Sequence, residues 1–121
     1  MSNSNTIVNV EYCCNKGNLT GRSKDIDCYS YLGGIIGRVL YIDTGSVNIS
    51  ACYNNGNMID EGYTISGGVI GSYRCNRNGF IRESYNTGSV SGNIAGGIAG
   101  AVYGTSYVGY SSWILNCYNT G

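Results

Sequence analysis

Five residues recur along the chain, and the recurrence decides what it can fold into before any single motif is weighed. Cys52-Tyr53-Asn54-Asn55-Gly56, Ser84-Tyr85-Asn86-Thr87-Gly88 and Cys117-Tyr118-Asn119-Thr120-Gly121 share one pattern, and Cys13-Cys14-Asn15-Lys16-Gly17 is a weaker first copy with Cys14 in the tyrosine slot. Three positions before each copy stands an apolar residue, Val10, Ile49, Ile81 or Ile114. After the first three copies comes a second block: Gly33-Gly34-Ile35-Ile36-Gly37, Gly67-Gly68-Val69-Ile70-Gly71 and Gly96-Gly97-Ile98-Ala99-Gly100. Gly17, Gly56, Gly88 and Gly121 lie 39, 32 and 33 residues apart, and so regular a period means a stacked array.

Each unit offers three short strand-like pieces: one ending in Cys-Tyr-Asn, a Gly-x-Val piece, and the Gly-Gly-Ile-x-Gly piece. The prediction is an all-β parallel β-helix, or β-solenoid, with about three strands per turn and roughly three to three and a half turns. The chain is then one domain, 1–121, with units near 7–45, 46–78 and 79–111 and a partial unit at 112–121. Every strand would bond to its equivalent one turn away, at ~4.8 Å, so identical side chains stack. The expected ladders are Val10, Ile49, Ile81 and Ile114; Tyr53, Tyr85 and Tyr118; and Asn15, Asn54, Asn86 and Asn119.

Composition agrees. Twenty glycines and no proline suit a coil whose corners need small residues and whose strands all donate to a ladder, whereas the strong helix formers are scarce. Seven basic residues balance seven acidic ones, so no net field would hold a nucleic acid or an anionic membrane. No apolar run approaches the ~18 to 20 residues of a membrane-spanning helix. Met1-Ser2-Asn3-Ser4-Asn5 lacks the basic and apolar stretches of a secretory leader, so the expectation is that a leader was removed or that the chain is a fragment.

The pattern Ile-x-x-Cys-Tyr-Asn-Thr-Gly-x-Val followed by Gly-Gly-Ile-x-Gly resembles the GLUG repeat of large bacterial surface proteins, also found beside immunoglobulin-A-cleaving metallopeptidases. The resemblance covers nearly the whole chain from Val10 and is most specific at 81–100 and 114–121. It implies an extracellular or cell-surface stalk or adhesion module rather than an enzyme. Ser84 in the cysteine slot, Cys14 in the tyrosine slot and insertions at 20–32 and 72–80 depart from the pattern.

Four features invite a chemical reading. Ile42-Asp43-Thr44-Gly45-Ser46-Val47 is written like an aspartic protease loop, but Asn86-Thr87-Gly88-Ser89-Val90 is nearly the same string inside a repeat copy, so Asp43 reads first as a corner residue. Cys13, Cys52 and Cys117 share one repeat position. Neighbouring turns at ~4.8 Å bring Cys13 and Cys52 within disulfide reach, whereas the thiols as small apolar fillers are the simpler reading. Cys14, Cys28 and Cys75 complete the six candidates for pairing. With no histidine and no Cys-x-x-Cys, neither a metal site nor a cofactor is expected.

Paired carboxylates could make a solenoid a polysaccharide-cleaving enzyme. The candidates are Asp25 with Asp27, Asp60 with Glu61, and Glu83 beside Arg82; the first pair reads first as a charged loop and the second as a solvated turn. Tyr103, Tyr107, Tyr110 and Trp113 cluster in a Gly/Ser-rich segment and form a candidate ligand surface for a glycan or a host surface protein. The expectation is a non-catalytic structural or adhesion module whose partner is itself, end to end, or flanking repeats. The alternative is a polysaccharide-active enzyme or a carbohydrate-binding module on the same coil.

Overall fold

Left-handed backbone at Tyr12, Ala51, Glu83 and Asn116 (φ 56°, 51°, 50° and 52°) bends the chain once per repeat, immediately before each Cys/Ser-Tyr/Cys-Asn segment. A computed structural model describes residues 6–40, 45–74, 78–103 and 112–121. Within them every regular element is a strand. The first pass of the coil contains β1 (Thr6–Glu11), β2 (Cys14–Asn15), β3 (Leu19–Gly21), β4 (Ser30–Gly33) and β5 (Ile36–Val39). The second contains β6 (Gly45–Ser50), β7 (Tyr53–Asn54), β8 (Met58–Asp60), β9 (Thr64–Gly67) and β10 (Ile70–Arg74). The third contains β11 (Gly79–Arg82), β12 (Tyr85–Asn86), β13 (Ile94–Gly96) and β14 (Ala99–Tyr103), and β15 (Ser112–Leu115) and β16 (Tyr118–Asn119) follow.

These strands form five parallel sheets, as a β-solenoid requires: β1-β6-β11-β15, β2-β7-β12-β16, β3-β8, β4-β9-β13 and β5-β10-β14. Val90 extends the third sheet by a single bridge to Met58. Pairing joins equivalent repeat residues, so Val10 faces Ile49, Ile49 faces Ile81, and Ile81 faces Ile114. A full pass therefore holds five strand pieces where about three were expected. The difference arises because two of the three sequence pieces bend. The left-handed residue splits the piece ending in Cys-Tyr-Asn, and its N–H stays paired across the bend, as in Ala51 N–H to Arg82 O at 3.2 Å. The Gly-Gly corner splits the other.

The apolar core lies between the first and fifth sheets. Val47, Ile49 and Ile81 face Val39, Val69, Ile70 and Tyr73, with Cys52 at the bend. Ile49 is 0% exposed and Ile81 1%, so each contributes about 1.5–3 kcal/mol by leaving water. The buried Tyr73 hydroxyl donates to Val47 O at 2.7 Å, which satisfies the one polar atom this ring brings inside.

Beside this core the interior carries a polar seam of buried Asn54 and Asn86. There the asparagines of the second sheet face the Gly-Gly corners, and each glycine covers the asparagine of the following pass. A Cβ added to Gly34 would lie 2.7 Å from Asn54 Cβ, one on Gly68 2.5 Å from Asn86 Cβ, and one on Gly97 2.6 Å from Asn119 Cβ.

Candidate functional site

Three side-chain columns run along the coil axis at the second sheet, and they share its two open ends. The innermost is asparagine. Asn15 Nδ2 donates to Gly17 O (2.7 Å) and to Asn54 Oδ1 (2.7 Å), and Asn54 Nδ2 donates to Gly56 O (2.6 Å) and Asn86 Oδ1 (2.7 Å). Asn86 Nδ2 donates likewise to Gly88 O and Asn119 Oδ1, both at 2.6 Å. Each Oδ1 of the first three also accepts from the glycine N–H two residues on, at 3.2 Å. Asn54 and Asn86 thus fill all four of their hydrogen-bonding positions while wholly buried, the condition under which a polar interior is stable.

The end members differ. Among the described residues Asn119 Nδ2 donates only to Gly121 O, at 3.3 Å, and Asn15 Oδ1 accepts only from Gly17 N–H. The column thus has a spare donor at one end and a spare acceptor at the other.

The outer column is aromatic. Tyr53 and Tyr85 stack with centroids 5.0 Å apart and planes within 4°, and Tyr85 and Tyr118 with 4.9 Å and 5°. Such separations suit offset stacking, which contributes about 0.5–1.5 kcal/mol per pair beyond area burial. Cys14 ends the column beneath Tyr53. Its side chain pushes the Tyr53 phenol pKa up, first by hydrogen bonding and then by charge. Tyr118, 55% exposed, ends it above.

The third column is Cys13, Cys52, Ser84 and Cys117. Of the two readings left open for these thiols, the unpaired one is found and the disulfide between Cys13 and Cys52 is not: Cys13, Cys14, Cys28, Cys52 and Cys117 are all free, and Cys75 lies outside the described residues. In-register parallel strands point equivalent side chains the same way rather than toward each other, which a disulfide would need. Each column thiol instead turns to the carbonyl two residues back: Cys13 to Glu11 O (3.4 Å), Cys52 to Ser50 O (3.2 Å), and Cys117 to Leu115 O (3.3 Å). Ser84 makes the same bond to Arg82 O at 2.9 Å and also accepts from Cys52 N–H at 3.2 Å. Burial pushes the Cys52 thiol pKa up, and the neighbouring Cys13 charge adds to it.

The remaining candidates are dispersed. Tyr103 ends β14 in the fifth sheet, with the Arg74 guanidinium 6.0 Å from its ring centre, whereas Trp113 stands on β15 in the first sheet, opposite Phe80. Both are about half exposed. Tyr107, Tyr110 and Asp43 lie outside the described residues. Asp25 Oδ1 accepts from Asp27 N–H (2.9 Å) and Asp60 Oδ1 from Gly62 N–H (2.8 Å), so both carboxylates hold their own turns. Glu61 pairs with Arg22 at 2.6 Å, and Glu83 occupies the left-handed bend.

Sequence reasoning missed Gly34, Gly68 and Gly97 as the lids of the asparagine column. Their doubling with Gly33, Gly67 and Gly96 was the available signal, since turn chemistry alone needs one glycine. No protein-family model, curated protein or solved structure matches the chain.

Proposed function

We propose that the chain is a non-catalytic structural repeat module that adds coil upon coil and associates end to end. One observation carries this reading: the inner members of the asparagine column are saturated, while its ends hold one spare donor and one spare acceptor of the same kind. A heterologous surface of this type joins head to tail and does not close into a dimer. The exposed Ile114 and Tyr118 at the upper end support it, since both would be covered by one further turn. The resemblance to the GLUG repeat favours an extracellular or cell-surface setting, and the exposed Tyr103 and Trp113 suit contact with a glycan or host surface protein. Sedimentation velocity of the chain across a wide concentration range tests the association. The expected result is a sedimentation coefficient that rises with concentration; a single monomer boundary throughout would refute it.

A further inference from the structure

Simple end-to-end contact leaves a defect in this coil. Among the described residues the first and second sheets hold four strands each, the fourth and fifth hold three, and the third holds two strands and the Val90 bridge. If β1 and β2 of a second molecule were laid on β15 and β16 of the first, the first two sheets would continue. The other three would each lack one strand at the junction, and their backbone donors and acceptors there would have no partner.

Resting on the end-to-end reading above, we infer that molecules join by strand exchange, β15 and β16 of one taking the place of β1 and β2 in the next. Each molecule then adds three members to every sheet, and no junction is short. In the next molecule β3, β4 and β5 settle on Val90, β13 and β14 of the first. Leu19 enters the open depression of about 110 Å³ lined by Val90, Ala95, Gly96, Gly97, Asn119 and Gly121. That is the place a further member of the Leu19, Met58 and Val90 column would occupy.

The exchange also improves what it replaces. Val10 faces Ile49, Cys14 faces Tyr53 and Asn15 faces Asn54 within one molecule. After exchange Ile114, Tyr118 and Asn119 take those three places. The tyrosine column then runs on without the Cys14 interruption, an isoleucine stands where the valine stood, and the spare Nδ2 hydrogen of Asn119 gains Asn54 Oδ1. The first copy of the repeat, the one that departs furthest from the pattern, is the one displaced. Its side chains are little buried, with Ile7, Val8 and Tyr12 63%, 40% and 84% exposed, so what the exchange must replace is chiefly the six-residue backbone pairing of β1 with β6.

Hydrogen exchange of the whole chain at low and high concentration, read by mass spectrometry, separates the two modes of joining. Under strand exchange, residues 6–15 lose amide protection as the chain associates, while 94–102 gain it. Plain stacking protects 6–15, so gained or unchanged protection there overturns the inference even where sedimentation shows association. A chain that never associates removes the end-to-end reading itself. Two substitutions give the opposite-sign check. Cys14→Tyr and Val10→Ile both make the resident strands better competitors. Each weakens association, Cys14→Tyr by about twofold to twelvefold given the value of one stacked pair. Because Val10→Ile adds one methylene at a half-buried site, it keeps the check available if Cys14→Tyr does not fold. Stronger or unchanged association in a folded variant refutes the exchange.

Discussion

Gly68 lies against Asn86 so closely that an added Cβ would stand 2.5 Å from the asparagine Cβ. The backbone at Gly68 is not left-handed, so space, not conformational freedom, requires the glycine. Asn86 cannot retreat, because its amide is bonded above, below and to its own turn. Gly68→Ala is therefore expected to destabilise the chain by about 3 kcal/mol, the upper end of the usual overpacking cost. Urea unfolding of the two proteins measures it, and a change under 1 kcal/mol would show that the column can shift.

The asparagine column makes a second prediction through position. Asn54→Asp keeps the shape but removes the two Nδ2 donors and sets a buried anion against Gly56 O and Asn86 Oδ1. The expected cost is about 3–5 kcal/mol, the scale of an uncompensated buried charge. Lowering the pH protonates the new carboxyl and recovers part of it. Asn119→Asp, at the exposed end, costs well under half as much. Equal losses at the two positions would mean that the column is not what holds this seam together.

Much of this architecture was legible because a parallel coil places equivalent repeat residues one above another, so spacing alone foretold that Ile49 would face Ile81 and Tyr53 would face Tyr85. The bend that splits each long piece was hidden, since Tyr12, Ala51, Glu83 and Asn116 have no side-chain chemistry in common and none is glycine. The glycine lids were hidden for another reason. Gly34 meets Asn54, Gly68 meets Asn86 and Gly97 meets Asn119 across the coil interior, and while the doubled glycine marks a position that tolerates no Cβ, a repeat that aligns residues along the axis does not say which side chain across the turn it meets. Spacing left thiol pairing open because distance between Cα atoms says nothing of direction, and in-register Cβ atoms run parallel.

Stacking along the tyrosine column predicts an order among substitutions. Among the described residues Tyr85 has a ring on each side, at 5.0 and 4.9 Å, whereas Tyr118 has one. Tyr85→Ala removes two stacked pairs and should cost about 1–3 kcal/mol. Tyr118→Ala should cost about half of that in a dilute, unassociated sample. Thermal unfolding of both variants checks the ratio, and a larger loss for Tyr118→Ala would remove stacking as the cause.

A pH dependence follows from Cys52, which has no exposed surface and whose thiol is held above its ordinary value of 9.0 chiefly by burial. In the unfolded chain this thiol ionises near 9.0, whereas the folded chain keeps the proton to higher pH. Above that value the unfolded state binds fewer protons than the folded one, so folding stability falls as pH rises. Below it both states are protonated and the thiol gives no slope. Tyr53, also held above its ordinary 10.0, adds a second decline that begins later. Cys52→Ala abolishes the first decline and keeps the second. The variant is less stable than the parent at neutral pH by the packing it loses, and that gap narrows as the pH is raised through 9.0. Urea unfolding under reducing conditions at a series of pH values measures the gap, and a gap constant across the series would show that the buried thiol does not ionise on unfolding.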